Sequence, residues 1–241
     1  MSGRKDGQDK VAIITGGGSG IGLAMAHTFA ASGYSVVITG RDLSRLHVAA
    51  EELSRTKSNV TPIACDVRDP SSVERLFQEI GKRHSTIDIL INNAGVAHAL
   101  APVDQLPVET WKEVIDTNLT GTFLVTRAAL PLMHAGGTIV NNLSVAALQP
   151  FAGMSAYNAS KFGALGFTHA LREDLRKRGI RVVALLPGAT NTEIWSQFWP
   201  GAPKEKMISA ATVAQAVLHA VSAPADTAIE EIRIGPTAGV L

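Results

Sequence analysis

Short runs of β-branched residues alternate with longer amphipathic stretches along the whole chain, and this alternation limits the possible folds more than any other feature. Val11, Ala12, Ile13 and Ile14 open it as a strand over 11–14, followed by a helix over 20–32. Further strands are read over 36–38, 60–64, 87–91, 138–143, 182–186 and 231–234, and helices over 44–55, 71–83, 108–133, 155–178 and 210–221. In the stretch 44–55, Leu46, Ala49, Ala50 and Leu53 recur at helical spacing. The strands are apolar almost throughout instead of alternating, as strands covered on both faces must be. Regular βα alternation therefore predicts an α/β fold with a doubly wound parallel sheet, helices on both faces and right-handed crossovers.

No Pro/Gly/Ser-rich linker or internal repeat divides the 241 residues, so a single domain over 1–241 is expected. It would carry a polar N-terminal extension over 1–9 and a looser region over 189–209 beside the substrate. The formal net charge is +1, with no basic block, which excludes a concentrated face for nucleic acid or an anionic membrane. Apolar runs such as 11–15 and 87–91 are too short to span a bilayer, and Met1 to Lys10 lacks the apolar core of a secretory leader. Cys65 is the only cysteine, so no internal disulfide forms, which fits a reducing, cytoplasmic setting. No His/Cys/carboxylate grouping has metal-ligand spacing, and no metal is expected. His98 and His134 are read as surface or packing residues.

The first strand runs into Thr15-Gly16-Gly17-Gly18-Ser19-Gly20-Ile21-Gly22. A strand, a glycine turn and a helix in succession direct free backbone N–H groups and the positive end of the helix dipole to the strand's carboxyl end. That arrangement suits a dinucleotide pyrophosphate. Gly16, Ser19, Gly20 and Ile21 are the candidate contacts, although the Gly-x-x-x-Gly-x-Gly spacing differs from the usual Gly-x-Gly-x-x-Gly.

Tyr157 and Lys161 lie four residues apart and share a face if helical. A phenol titrates near 10, and a neighbouring ammonium would favour its ionised form and lower that value. Ser144, at the end of a strand, would donate a hydrogen bond to a substrate oxygen as charge develops on it.

Taken with Asn92-Asn93-Ala94-Gly95, Asn118 and Pro187-Gly188, these motifs occur in an order that resembles the short-chain dehydrogenase/reductase family over about 10–192. The resemblance implies a Rossmann-type fold and a hydride exchanged between a nicotinamide and a carbonyl or secondary alcohol. Tyr157 would be the catalytic acid/base, Lys161 would hold the ribose hydroxyls, Ser144 would orient the carbonyl, and Asn118 would anchor a proton-relay water. Asn93, Ala94 and Gly95 would border the adenosine ribose, with Asp66 and Val67 at the adenine. Asn92 is read instead as a tie between strands. Pro187, Gly188, Thr190 and Thr192 resemble the nicotinamide-carboxamide loop, departing from the family at Thr190, where an aliphatic residue is common. For Thr192, a cofactor contact and a simple helix cap are both open.

An NAD site usually has an acid at the tip of the second strand. Here that tip is Gly40, followed by Arg41, whose guanidinium suits a 2′-phosphate. NADP(H) is thus expected over NAD(H). The substrate pocket is expected to come from 97–100, 146–154 and the segment after Gly188, with Leu148, Phe151, Met154, Trp195, Phe198 and Trp199 favouring a neutral or apolar carbonyl. The same aromatics would also suit a core or a subunit contact. The C-terminal stretch lacks the glycine-rich ending of many fatty-acid-type ketoreductases and looks more like that of members acting on 3-hydroxy acids or small carbonyls. A 3-oxoacyl thioester reductase is the rival enzyme reading, and a catalytically silent dinucleotide-binding sensor the rival of another class. Family members pair through long helices, which implies a homotetramer or homodimer.

Overall fold

The computed structural model describes residues 9–55 and 59–239, so most of the polar extension lies outside the described residues. A seven-stranded parallel sheet forms the centre, in the order β3-β2-β1-β4-β5-β6-β9. Its strands are β1 (Val11–Thr15), β2 (Ser35–Gly40), β3 (Val60–Ala64), β4 (Ile87–Asn92), β5 (Met133–Asn142), β6 (Arg181–Pro187) and β9 (Glu231–Ile234). The order reverses between β1 and β4, the switch point at which such sheets open a crevice at their carboxyl edge.

Alternate strand residues feed two cores, as the pleat requires. Ile14, Ile38 and Ile91 point to α1 (Gly20–Ala31), α2 (Leu43–Ser54) and α7 (Ala210–Val221). Ile13, Val37 and Leu90 point to α3 (Pro70–Arg83), α5 (Gly121–Ala129) and α6 (Ser155–Arg176). Both sides of the sheet are therefore buried, which accounts for the unbroken apolar strands.

The helix read over 108–133 is not continuous. α4 (Val108–Ile115) passes through a π-helical turn, Asp116–Thr120, into α5, and a short 3-10 turn, Leu130–Leu132, ends it. The Thr122 hydroxyl donates to the carbonyl of Asn118 at 2.9 Å, a side-chain bond that competes with the helical ladder. Pro131 lies in the closing turn. Met133 belongs to β5, which starts earlier than the expected 138 because Met133 pairs with Ile87 ahead of a register shift. In the looser region a two-stranded parallel pair, β7 (Thr190–Asn191) with β8 (Ile208–Ser209), fastens both ends of the loop. Among the described residues, no helix is long and apolar enough to cross a membrane.

Candidate active site

At the carboxyl edge of the sheet is a cleft of about 930 Å³. Its floor begins with the glycine turn. The amides of Gly16 and Gly17 donate to the carbonyl of Thr39 at 2.7 and 3.2 Å, anchoring the turn to β2. α1 starts at Gly20, and its first turn directs N–H groups that have no helical acceptor toward the cleft. Gly20 has φ +52°, and a Cβ there would lie 3.3 Å from the Thr192 methyl, so glycine keeps the turn open beneath the 190s loop. At Gly22 a Cβ would stand 2.2 Å from the Gly16 carbonyl oxygen, so no other residue lets α1 approach β1 so closely.

Asn93, just beyond β4, and Thr15, the last residue of β1, stitch this turn to the end of β4. The Asn93 amide donates to the carbonyls of Thr15 and Gly16 at 2.9 and 3.2 Å, while the Thr15 hydroxyl accepts from the backbone N–H groups of Asn93 and Ala94, both at 2.9 Å. Asn92 is the strand tie the sequence implied. Its buried amide donates to the Thr126 hydroxyl at 2.9 Å and to the Asn141 side-chain oxygen at 2.8 Å.

Ser144, just beyond β5, and Tyr157 and Lys161, in the first turns of α6, meet on the cleft wall. The Lys161 ammonium donates to the Asn142 carbonyl at 3.1 Å and lies 5.5 Å from the centre of the Tyr157 ring. Burial pushes Lys161 down to about 8. The Tyr157 phenol moves the opposite way from the expected lowering. Burial raises it, a hydrogen bond with Ser144 draws it partly back, and the lysine charge, turned to the Asn142 carbonyl, adds no counterweight.

Asn118 sits in the π turn, behind this wall and not on it. Its side chain accepts from the Val96 N–H at 2.8 Å and donates to the Val96 carbonyl at 2.9 Å and to the Ser160 hydroxyl at 3.0 Å. A Cβ on Gly95 would lie 3.3 Å from its oxygen and 3.7 Å from the Lys161 nitrogen, so only the bare Gly95 backbone separates these groups.

Gly16, Ser19, Gly20, Ile21, Arg41, Asn93, Ala94, Gly95, Pro187, Gly188, Thr190 and Thr192 all line the cleft. Asp66 and Val67 do not. The Asp66 carboxylate is gripped by Arg68, which holds it below its usual range, and Val67 is buried beneath Gly121. Thr190 is buried, with its hydroxyl donating to the Gly188 carbonyl at 3.0 Å. Thr192 precedes a 3-10 turn without capping it through its side chain. Leu100, Phe151, Met154, Trp195, Phe198 and Trp199 form the apolar wall, with the Trp195 ring centre 4.9 Å from that of Phe198. Leu148 lies off the cleft and is exposed. His98 is a buried packing residue, and Cys65 is a buried thiol pushed up mainly by burial. Among the described residues, no cluster could hold a metal ion.

Sequence reasoning missed Arg45, Asn142 and Arg233, which also line the cleft. Arg45 follows Arg41 at helical spacing, a signal that was readable; Asn142 acts on Lys161 through its backbone carbonyl and Arg233 comes from the last strand, so neither was. The residues present fit a dinucleotide. The first turn of α1 presents amides without a helical acceptor, the glycines before it leave room that a Cβ would fill, and Arg41 and Arg45 supply cationic donors.

A family model described as short chain dehydrogenase matches residues 10–202. Sulfoacetaldehyde reductase 2 of Chromohalobacter salexigens is 35% identical over 94% of each chain, and an uncharacterized oxidoreductase of Staphylococcus saprophyticus is 34% identical over 95% of this chain and 98% of its own. Among solved structures, an alcohol dehydrogenase from Thermococcus sibiricus complexed with 5-hydroxy-NADP superposes with a TM-score of 0.88 at 27% identity, covering 96% of this chain and 98% of that one. A serine dehydrogenase complexed with NADP+ gives 0.87 at 30% identity, covering 96% of each. With the glycine turn, Ser144, Tyr157 and Lys161 gathered on one cleft, the chain belongs to the short-chain dehydrogenase family.

Proposed function

We propose that the protein interconverts a carbonyl and a secondary alcohol using NADP(H). The observation that carries this reading is the convergence of Ser144, Tyr157 and Lys161 on the cleft floored by the glycine turn. The cofactor, when bound, supplies the hydride chemistry. In reduction the Tyr157 hydroxyl gives its proton to the carbonyl oxygen, and in oxidation it takes one back. Ser144 donates a hydrogen bond to the same oxygen, strengthening as charge builds there. Lys161, restrained by the Asn142 carbonyl, holds a ribose hydroxyl. Asn118, across Gly95 from the lysine, anchors the relay that returns the proton to solvent.

Asn93, Ala94 and Gly95 border the adenosine ribose. Pro187, Gly188, Thr190 and Thr192 face the carboxamide. The preference for NADP(H) is supported by Arg41 and Arg45 on the cleft wall, by the lack of an acid at Gly40, and by relatives solved with NADP. The aromatic wall supports a carbonyl substrate with an apolar body, and the sulfoacetaldehyde reductase relative supports an aldehyde. Exposed Trp111, Phe123 and Phe162 on α4, α5 and α6 support pairing of subunits into a dimer or tetramer.

Replacing Tyr157 with Phe tests the reading. Turnover of an aldehyde and ketone panel is expected to fall about 10²–10⁴-fold while NADPH still binds, and an undiminished rate would refute the assignment. Wild type that binds NADPH firmly yet turns over no member of the panel would instead indicate a silent sensor, and preference for acyl thioesters would favour the 3-oxoacyl reading. For the cofactor, Arg41→Ala should weaken NADPH by roughly tenfold or more and leave NADH unaffected in a fluorescence titration. Equal weakening of both would overturn the NADP(H) assignment.

A further inference from the structure

Arg45 and Glu193 come from opposite banks of the cofactor cleft. Arg45 stands in the first turn of α2. Its stem lies over Gly18, where a Cβ would meet its Cγ at 3.5 Å, and its Nε donates to the Gly18 carbonyl at 3.2 Å. Its outer nitrogen is ion-paired with the carboxylate of Glu193. Glu193 follows Thr192, whose methyl overhangs Gly20, and it belongs to the same 3-10 turn as Trp195. Arg45, Glu193, Thr192, Gly20 and Trp195 line one cleft. The pair therefore spans the glycine turn and joins the dinucleotide side to the substrate loop. It is largely exposed, at 47% and 72% for the two side chains, and exposed pairs of this kind contribute little to stability and exchange partners readily.

We infer that Arg45 is a phosphate-binding residue of the cofactor site and that Glu193 is its internal competitor. A phosphate of the dinucleotide takes the guanidinium, and the freed carboxylate releases the turn that carries Trp195. Two observations favour a phosphate over a purely structural role for Arg45. Its guanidinium is tethered to the glycine turn itself, and Arg41, four residues earlier, lines the same bank. A phosphate group offers the planar fork two or more acceptor oxygens, and a 2′-phosphate or the whole pyrophosphate carries more charge than one carboxylate does. Glu193 thus lowers affinity for the very ligand that Arg45 attracts. Cofactor loading and the seating of the substrate loop become one exchange of ion pairs.

This inference rests on the dinucleotide reading above. Its test is a set of binding titrations with NADPH, NADH and adenosine 2′,5′-bisphosphate, followed by tryptophan emission, on wild type, Glu193→Gln, Arg45→Ala and the double variant. Glu193→Gln should tighten NADPH roughly three- to fivefold, and Arg45→Ala should weaken it roughly ten- to hundredfold. In the Arg45→Ala background the Glu193 change should add little, because the competition has gone. If the 2′-phosphate is the ligand, NADPH and the bisphosphate respond and NADH does not; if it is the pyrophosphate, NADPH and NADH shift together. Either pattern supports the assignment. Unaltered or weakened NADPH binding in Glu193→Gln overturns it, even where wild type binds normally. Wild type that binds neither dinucleotide would instead sink the functional reading beneath it.

Discussion

Lys161 carries its charge at a cost, since it is 6% exposed and its ammonium has a backbone carbonyl for company and no carboxylate. Its value is lowered from 10.5 to about 8, so between those limits the folded lysine is neutral while the unfolded one still binds a proton. Stability rises with pH wherever the unfolded chain holds more protons. Compared with Lys161→Met, the wild-type protein should therefore gain stability from about pH 8 to pH 10, on the order of 3 kcal/mol at most, in urea unfolding. A flat difference would show that the ammonium is better solvated than its burial suggests. At this scale the sequence was informative about identities and silent about acceptors. The spacing of Tyr157 and Lys161 was visible, but Asn142 restrains the lysine through a carbonyl, and every residue has one. The rise of the phenol was equally hidden, because burial depends on what the fold packs around the ring.

The first strand, its turn and its helix form the element on which the site is built. Thr15, Gly16 and Gly22 are locked together with Asn93 at separations that leave no space for another carbon. Gly22→Ala should push α1 away from β1, costing about 1–3 kcal/mol in unfolding measurements and weakening NADPH binding in the same protein. Full binding with normal stability would mean that the turn tolerates displacement and does not position the phosphates. Apolar periodicity revealed nearly every helix of the fold to within a residue or two, because packing on the sheet imposes that period. The long helix was the exception. Its π turn coincides with the Thr122 hydroxyl donating to the Asn118 carbonyl, and a run such as Asp116-Thr117-Asn118-Leu119-Thr120 does not break helical periodicity. The departure from regular helix sets Asn118 against Val96 and Ser160, so the element is irregular where it is useful.

For the whole molecule, strand order places the glycine turn, Ser144 and the 190s loop along one edge of the sheet, although they are far apart in sequence. Alternating βα units made that edge foreseeable. The wall made by Trp195, Phe198 and Trp199 was foreseen in composition but not in form, since the β7–β8 pair that fastens the loop is only two residues long. Assembly belongs to this scale as well. With Trp111, Phe123 and Phe162 exposed along α4, α5 and α6, sedimentation equilibrium should find a dimer or tetramer. Phe162→Asp should shift it toward smaller species, and an unchanged monomer in wild type would dismiss the pairing. Cys65, finally, is enclosed between β3 and α3, with its thiol kept protonated by its surroundings. A thiol-specific dye can reach it only when that part of the sheet comes apart, so the chain carries a natural clock for its own breathing, read by how fast the label is taken up.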